Sequence, residues 1–225
     1  IHNHIGSQIL KVETFREALE KLGPFIEKLK LQGIDIKYVD IGGGLGITYR
    51  DETPPHPNQL AEALLPILNR MNCTIIFEPG RVIVGNAGVL ISRVLYTKSS
   101  PKKEFLIVDA AMNDLIRPSL YGSFQGIQPV DKKKETCPKI IADVVGPICE
   151  SGDFLAKDRE LPLMQPGEFI AILSAGAYGF SMASNYNSRP RAAEVLVKGD
   201  SWHVIRQRES YEQLIVNEII PPFLA

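Results

Sequence analysis

Two short stretches concentrate reactive groups in few residues. Gly146-Pro147-Ile148-Cys149-Glu150-Ser151-Gly152-Asp153 sets a thiol beside a carboxylate in a loop rich in Gly and Pro. A thiol tuned by its surroundings can give or take a proton near neutral pH, whereas an untuned cysteine is usually a small buried hydrophobe. Glu78-Pro79-Gly80-Arg81 brings together a carboxylate, a permissive glycine and a guanidinium. Such a carboxylate can keep a ring nitrogen protonated, and arginine grips a carboxylate or phosphate in bidentate fashion. Its plainer reading is a surface ion pair beside a turn.

Other segments add donors. Gly42-Gly43-Gly44-Leu45-Gly46 lets backbone N–H groups approach an anion, because no Cβ blocks the way. It lacks the Lys-Ser/Thr ending of a P-loop and is no clean dinucleotide fingerprint, so phosphate cradle and tight turn both remain open. His4-Ile5-Gly6-Ser7 offers an imidazole and a hydroxyl, while His2 reads as a structural histidine. Ala175-Gly176-Ala177-Tyr178-Gly179 presents a phenol among small residues. Arg117 and Tyr121 lie four apart, on one face if the segment is helical. Each could equally be packing.

The elements that must position these groups change character along the chain. Val12, Phe15, Leu19, Leu22, Ile26 and Leu29 draw one helical stripe, with Gly23-Pro24 predicting a kink or two consecutive helices. Ile1 to Gly6, Lys37 to Ile41 and Thr74 to Phe77 read as strands, and Asn58 to Arg70 as a second helix. Strands alternating with helices imply a parallel sheet whose strand ends carry the ligand site. From about Gly88 the runs 89–96, 104–108, 139–145, 168–173, 193–197 and 202–206 are β-rich, and short helical pieces are expected near 113–120 and 211–215. This predicts a second, mainly antiparallel domain. Lys132-Lys133-Lys134 reads as a solvated turn.

Composition narrows the function classes. The chain has 225 residues, 44% hydrophobic and 23% charged, enough for a sizeable core. Lys plus Arg is 25 and Asp plus Glu 26, which gives no electrostatic reason to expect nucleic acid or a membrane surface as partner. Cys73, Cys137 and Cys149 have no metal-site spacing and an odd count, so no structural metal is expected and a reducing, cytoplasmic setting is. No stretch reads as a signal peptide, and opening on Ile1 suggests that the chain begins inside a larger unit.

In order, HIGSQ, DIGGGLG, FEPGR, DAAMNDLIRPSLYG, GPICESGD and SAGAYGFSMASNYNSRPR resemble the carboxy-terminal part of the diaminopimelate decarboxylases, and the matches run from residue 2 to residue 191. These are pyridoxal-phosphate enzymes of the alanine-racemase-like class, acting in the last step of lysine biosynthesis. The resemblance implies an α/β plus β fold: residues 1–87 would be the end of a (β/α)8 barrel carrying pyridoxal 5'-phosphate, and 88–225 a β-rich domain for substrate recognition and dimer contact. It also implies a homodimer with shared active sites and a small amino-acid substrate.

By motif, His4 would stack on the pyridine ring, Ser7, Gly43 and Gly44 would contact the phosphate, and Glu78 would pair with the ring nitrogen. Gly80 and Arg81 would lie along phosphate and substrate. Arg81, Arg117 and Tyr121 would bind the carboxylate that does not react, and Glu150 the distal amino group. Tyr178 would touch cofactor and substrate, and Cys149 would reach across the dimer to protonate carbon after CO₂ leaves. The family's cofactor-anchoring lysine precedes HIGSQ and matches no segment here, so these residues alone are expected to be inactive. The alternatives are a sister decarboxylase acting on ornithine, arginine or carboxynorspermidine, and a non-catalytic fragment used for dimerisation.

Overall fold

A computed structural model of the chain describes residues 1–224. They divide into two compact units. One is Ile1–Val89 together with Leu173–Ala177; the other is Leu90–Ile172 together with residues from Tyr178 onward.

The first unit is α/β. Helix α1 (Val12–Leu31) packs on helix α2 (Pro57–Leu68), and strands β1 (Tyr38–Asp40) and β2 (Thr74–Ile76) pair in parallel, Val39 opposite Ile75. Phe15, Leu19, Ile26, Val39, Ile41, Leu45, Leu64, Leu68 and Met71 form its core. The two-helix alternative at Pro24 is not adopted. Pro24 removes the donor that would reach the Glu20 carbonyl, but both residues lie on the solvent face, while Leu19 and Ile26 stay buried on either side. On that face solvent can satisfy the freed carbonyl, and packing on the other carries one helix through. Helix α2 opens on a capping box in which His56 Nδ1 accepts from Asn58 N–H and Gln59 Oε1 accepts from His56 N–H, with Pro57 at the first helical position.

The expected first strand is a single parallel bridge from His2 to Asp40. Asn3 N–H donates to the Asp40 carbonyl and Asp40 N–H to the Ile1 carbonyl, both at 2.8 Å. The chain then swings away through Gly6, whose φ is +129°. A four-residue helix α3 (Arg81–Val84) follows β2. Residues 173–177 close the unit: Ala175 N–H bonds the Gly88 carbonyl and Gly176 N–H the Gly85 carbonyl. A Cβ on Gly176 would stand 1.8 Å from the Val84 carbonyl oxygen, so only glycine fits.

The second unit is built on a six-stranded sheet. Its strands are β3 (Leu90–Ser99), β4 (Glu104–Val108), β5 (Ile127–Pro129), β6 (Lys139–Val145), β7 (Phe154–Pro162) and β8 (Phe169–Ile172), in the order β5-β8-β3-β4-β6-β7. Every neighbouring pair is antiparallel except β4 and β6. Strands β9 (Glu194–Lys198) and β10 (Ser201–Arg206) form a separate hairpin turned at Gly199, φ +57°. Helix α4 (Arg117–Tyr121) precedes β5 and helix α5 (Tyr211–Ile215) follows β10. Lys132-Lys133-Lys134, expected as a solvated turn, opens a short 3₁₀ helix (Lys132–Thr136) in which Lys134 pairs with Glu168.

Candidate active site

Three glycine-bearing segments meet at the strand ends of the first unit. Gly42 N–H donates to Asp40 Oδ1 at 2.8 Å and Glu78 N–H to the Gly42 carbonyl at 2.9 Å, while Ile9 N–H donates to the Gly44 carbonyl at 2.9 Å. These bonds draw 4–9, 42–46 and 78–81 together. The approach is close enough to demand glycine. A Cβ on Gly43 would lie 2.2 Å from the Glu78 carbonyl oxygen, and one on Gly44 (φ +100°) would lie 2.2 Å from that of Gly6.

The polar side chains expected from the sequence stand around this turn. Arg81 Nη2 donates to Ser7 Oγ at 2.9 Å, and its other terminal nitrogen bonds the Tyr49 hydroxyl. Gly43 N–H points at His4 Nδ1 at 3.4 Å. Glu78 keeps its carboxylate half exposed, 3.6 Å from His2 Nε2. His2, expected as a structural histidine, stands with Asp40 and Glu78 so that one ligand-type atom of each lies within 4.8 Å of the others. Tyr49 was not anticipated, since only its contact with Arg81, 32 residues away, marks it.

Ser7, Arg81 and the glycine amides are donors of the kind that can hold an anion, and Glu78 is an acceptor that can pair with a protonated ring nitrogen. Beside them, a Cβ on Gly6 or Gly80 would meet nothing within 4 Å, so the surface is open. This donor set fits a phosphorylated pyridine.

The second unit holds the other candidates. Arg117 opens α4, is only 8% exposed, and has its guanidinium carbon 5.6 Å from the ring centres of both Tyr121 and Tyr178. The i, i+4 expectation for Arg117 and Tyr121 holds, and Tyr178 (φ +60°) supplies the second ring. A guanidinium flanked by two partly exposed phenols is suited to a carboxylate.

Loop 146–153 carries an exposed Cys149, so the thiol is not walled into the core. Asp153, 5% exposed, staples this loop: its carboxylate accepts from Ile148 N–H at 2.6 Å and Met112 N–H at 2.7 Å. Burial pushes the Asp153 carboxyl above the usual range, opposed by those two amides. A Cβ on Gly152 would come within 2.7 Å of Ser119 Oγ, so the turn sits tightly on α4.

Glu150 Oε1 accepts from Gly152 N–H at 3.2 Å, and Oε2 accepts from the Tyr186 hydroxyl at 3.3 Å. Glu150 and Tyr186 share a cavity of about 240 Å³ with Met112, Asn113, Ile116 and Ser184. Asn113 is fixed there, accepting from Arg189 Nε at 3.0 Å and donating to the Ser184 carbonyl at 3.2 Å. Tyr186, Asn113, Arg189 and Asp153 were not singled out from the sequence, although each lies in a segment that was.

A family model described as "pyridoxal-dependent decarboxylase, C-terminal sheet domain" matches residues 19–176. The chain belongs to this family. It is 55% identical over 216 residues to the diaminopimelate decarboxylase of Aquifex aeolicus, covering 96% of this chain and 51% of that protein. It is 51% identical to the enzyme of the same name from Pseudomonas aeruginosa, covering 97% and 52%. Among solved structures, the diaminopimelate decarboxylase of Helicobacter pylori complexed with L-lysine superimposes with a TM-score of 0.88 at 45% identity, covering 96% of this chain and 53% of that one. The chain thus spans about half the length of the family members it matches. No helix among the described residues is long and apolar enough to cross a membrane.

Proposed function

We propose that this chain is the carboxy-terminal part of a pyridoxal-phosphate-dependent decarboxylase that converts meso-diaminopimelate to L-lysine and CO₂, in the cytoplasm and as a homodimer with shared active sites. On this reading residues 1–87 complete a (β/α)8 barrel and the β-rich remainder recognises substrate. The observation that carries it is the meeting of 4–7, 42–46 and 78–81 around the Ser7–Arg81 pair and the open Glu78 carboxylate. The names of the relatives support the substrate.

When bound, pyridoxal phosphate supplies an electron sink for the carbon that loses CO₂. Ser7, the amides of Gly43 and Gly44, Gly80 and Arg81 would hold the phosphate, with the Ser7 hydroxyl proton free to donate because its oxygen accepts from Arg81. Glu78 would keep a proton on the ring nitrogen, and His4 would cover one ring face.

Arg117, between Tyr121 and Tyr178, takes the carboxylate that stays, with Arg81 assisting. Glu150 takes the remote ammonium. Holding both remote charges aligns the bond to be broken, so binding far from the reacting carbon lowers the barrier there. As CO₂ departs, its bonding pair stays on carbon and Cys149 Sγ–H delivers the proton to it. Solvent then returns a proton to the thiolate, which an exposed thiol permits.

The test is CO₂ release from meso-diaminopimelate by the full-length protein that carries this chain, loaded with pyridoxal phosphate. Turnover at least a hundredfold above that of ornithine or arginine is expected; preference for either of those substrates would overturn the reading.

A further inference from the structure

Glu150 is not a freely rotating surface carboxylate. One oxygen is tied to the Gly152 amide of its own loop, and the other accepts from a phenol contributed 36 residues later. That phenol is Tyr186, and the chain around it is held at an energetic cost. Asn187 (φ +60°) and Ser188 (φ +54°) are consecutive non-glycine residues in the left-handed region.

Several bonds keep this turn in place. Tyr186 N–H donates to Ser184 Oγ at 3.3 Å, Asn185 Nδ2 donates to the Arg189 carbonyl at 3.0 Å, and Arg189 Nη2 reaches the Asp109 carbonyl at 2.6 Å. The turn projects the Tyr186 ring into the wall of the 240 Å³ cavity that Glu150 also lines. The charge on Glu150, ahead of desolvation and with a smaller contribution from Cys149, pushes the Tyr186 phenol above its ordinary range. The phenol therefore stays an O–H donor to Glu150 near neutral pH.

We propose that Tyr186 is the positioning residue for the Glu150 carboxylate and, through it, a determinant of selectivity for substrates with an ammonium at the end remote from the reacting carbon. This rests on the decarboxylase reading above. With one lone pair of each oxygen occupied, the carboxylate loses rotational freedom while it lines the cavity. An incoming ammonium then finds a preorganised acceptor rather than having to order one. Tyr186 touches neither the reacting carbon nor the cofactor in this scheme, so its effect falls on binding of the remote end.

Tyr186→Phe in the full-length holoenzyme keeps the ring and removes only the hydroxyl. Its KM for meso-diaminopimelate should rise about tenfold, the size of one hydrogen bond to a charged group, with kcat held within about a factor of two. For 2-aminoheptanedioate, which has the same skeleton without the second amino group, KM should be unchanged. In a Glu150→Gln background the further change to Phe should add nothing. Independently of turnover, the Tyr186 phenol, followed by carbon NMR of labelled tyrosine, should titrate at lower pH in Glu150→Gln than in wild type.

Equal weakening of both substrates would mean a merely structural role and overturn the inference, as would an unchanged KM for meso-diaminopimelate while the wild type turns it over. A wild type that releases no CO₂ from meso-diaminopimelate overturns the functional reading itself and this inference with it.

Discussion

Glu209 ties the turn that carries Tyr186 to the chain that follows β10, and its replacement by Gln should be measurable in stability. Glu209 Oε1 accepts from Arg191 Nε at 2.7 Å and Nη2 at 2.5 Å, while Oε2 accepts from Arg191 N–H at 2.8 Å and Asn185 Nδ2 at 2.6 Å. The Arg191 guanidinium beside it, with its backbone amide, holds the Glu209 carboxyl down from 4.5 to about 2. Taken whole, that drop corresponds to about 3 kcal/mol. The side chains keep 21% and 35% of their surface in water, and screening reduces the contribution to about 1 kcal/mol. Glu209→Gln should therefore lower the melting temperature of the full-length protein by about 1–2 °C near neutral pH.

The sign with pH follows from the depressed value. The unfolded chain takes up the proton near 4.5 and the folded one only near 2, so the stabilisation is present above 4.5 and is lost as pH falls toward 2. Thermal unfolding of wild type and variant across that range reads it directly. Identical melting near neutral pH, or a difference that persists undiminished at pH 2, would refute the reasoning. Because Asn185 precedes Tyr186, the variant should also raise KM for meso-diaminopimelate more than it lowers kcat.

Other consequences follow from the same geometry. Arg117→Lys loses the planar fork and its stacking between Tyr121 and Tyr178, and steady-state kinetics should show KM for the dicarboxylate up by about 10- to 100-fold. Gly44→Ala must move backbone, since its Cβ would meet the Gly6 carbonyl oxygen at 2.2 Å in a φ +100° conformation; a loss of about 1–3 kcal/mol is expected in urea unfolding, with weaker pyridoxal-phosphate retention by absorbance. Ile26→Ala, at a fully buried site on α1, should cost about 2–5 kcal/mol by the same unfolding measurement without altering substrate preference.

How much of this was legible in the sequence depends on whether a signal was local. The run KYVDI into Gly42–Gly46 shows a buried strand meeting a turn, and the structure places a parallel strand and a glycine junction there. The strands 104–108 and 139–145 are compact apolar runs and appear with those bounds. Strand β7 was missed because Lys157-Asp158-Arg159-Glu160 interrupts its apolar ends. Lys157, Asp158 and Glu160 are exposed, with Glu160 paired to Lys139 at 2.8 Å and Asp158 to Lys103 at 3.2 Å, while the half-buried Arg159 donates to the Gln125 carbonyl at 2.6 Å, partners that only folding supplies. Short β5, three residues closing on β8, has no run to read.

At the site, Cys149, Glu150, Arg117 and Tyr121 stand out as reactive types at suggestive spacing. Tyr186 and Asp153 do not, because their meaning lies in whom they touch. A phenol 36 residues from its carboxylate, or a carboxylate capping an amide 41 residues away, has no signature in spacing. The helix through Pro24 is the converse case: a strong local breaker overridden by apolar contacts on the far face.

Replacing Cys149 by Ala in the full-length holoenzyme tests the central claim most directly, with CO₂ release and L-lysine formation from meso-diaminopimelate followed together. If the exposed thiol delivers the proton to carbon, lysine formation falls by about 10²–10⁴-fold while pyridoxal-phosphate binding at Ser7, Arg81 and Glu78 is unchanged. Lysine formed at the wild-type rate without the thiol would contradict the account.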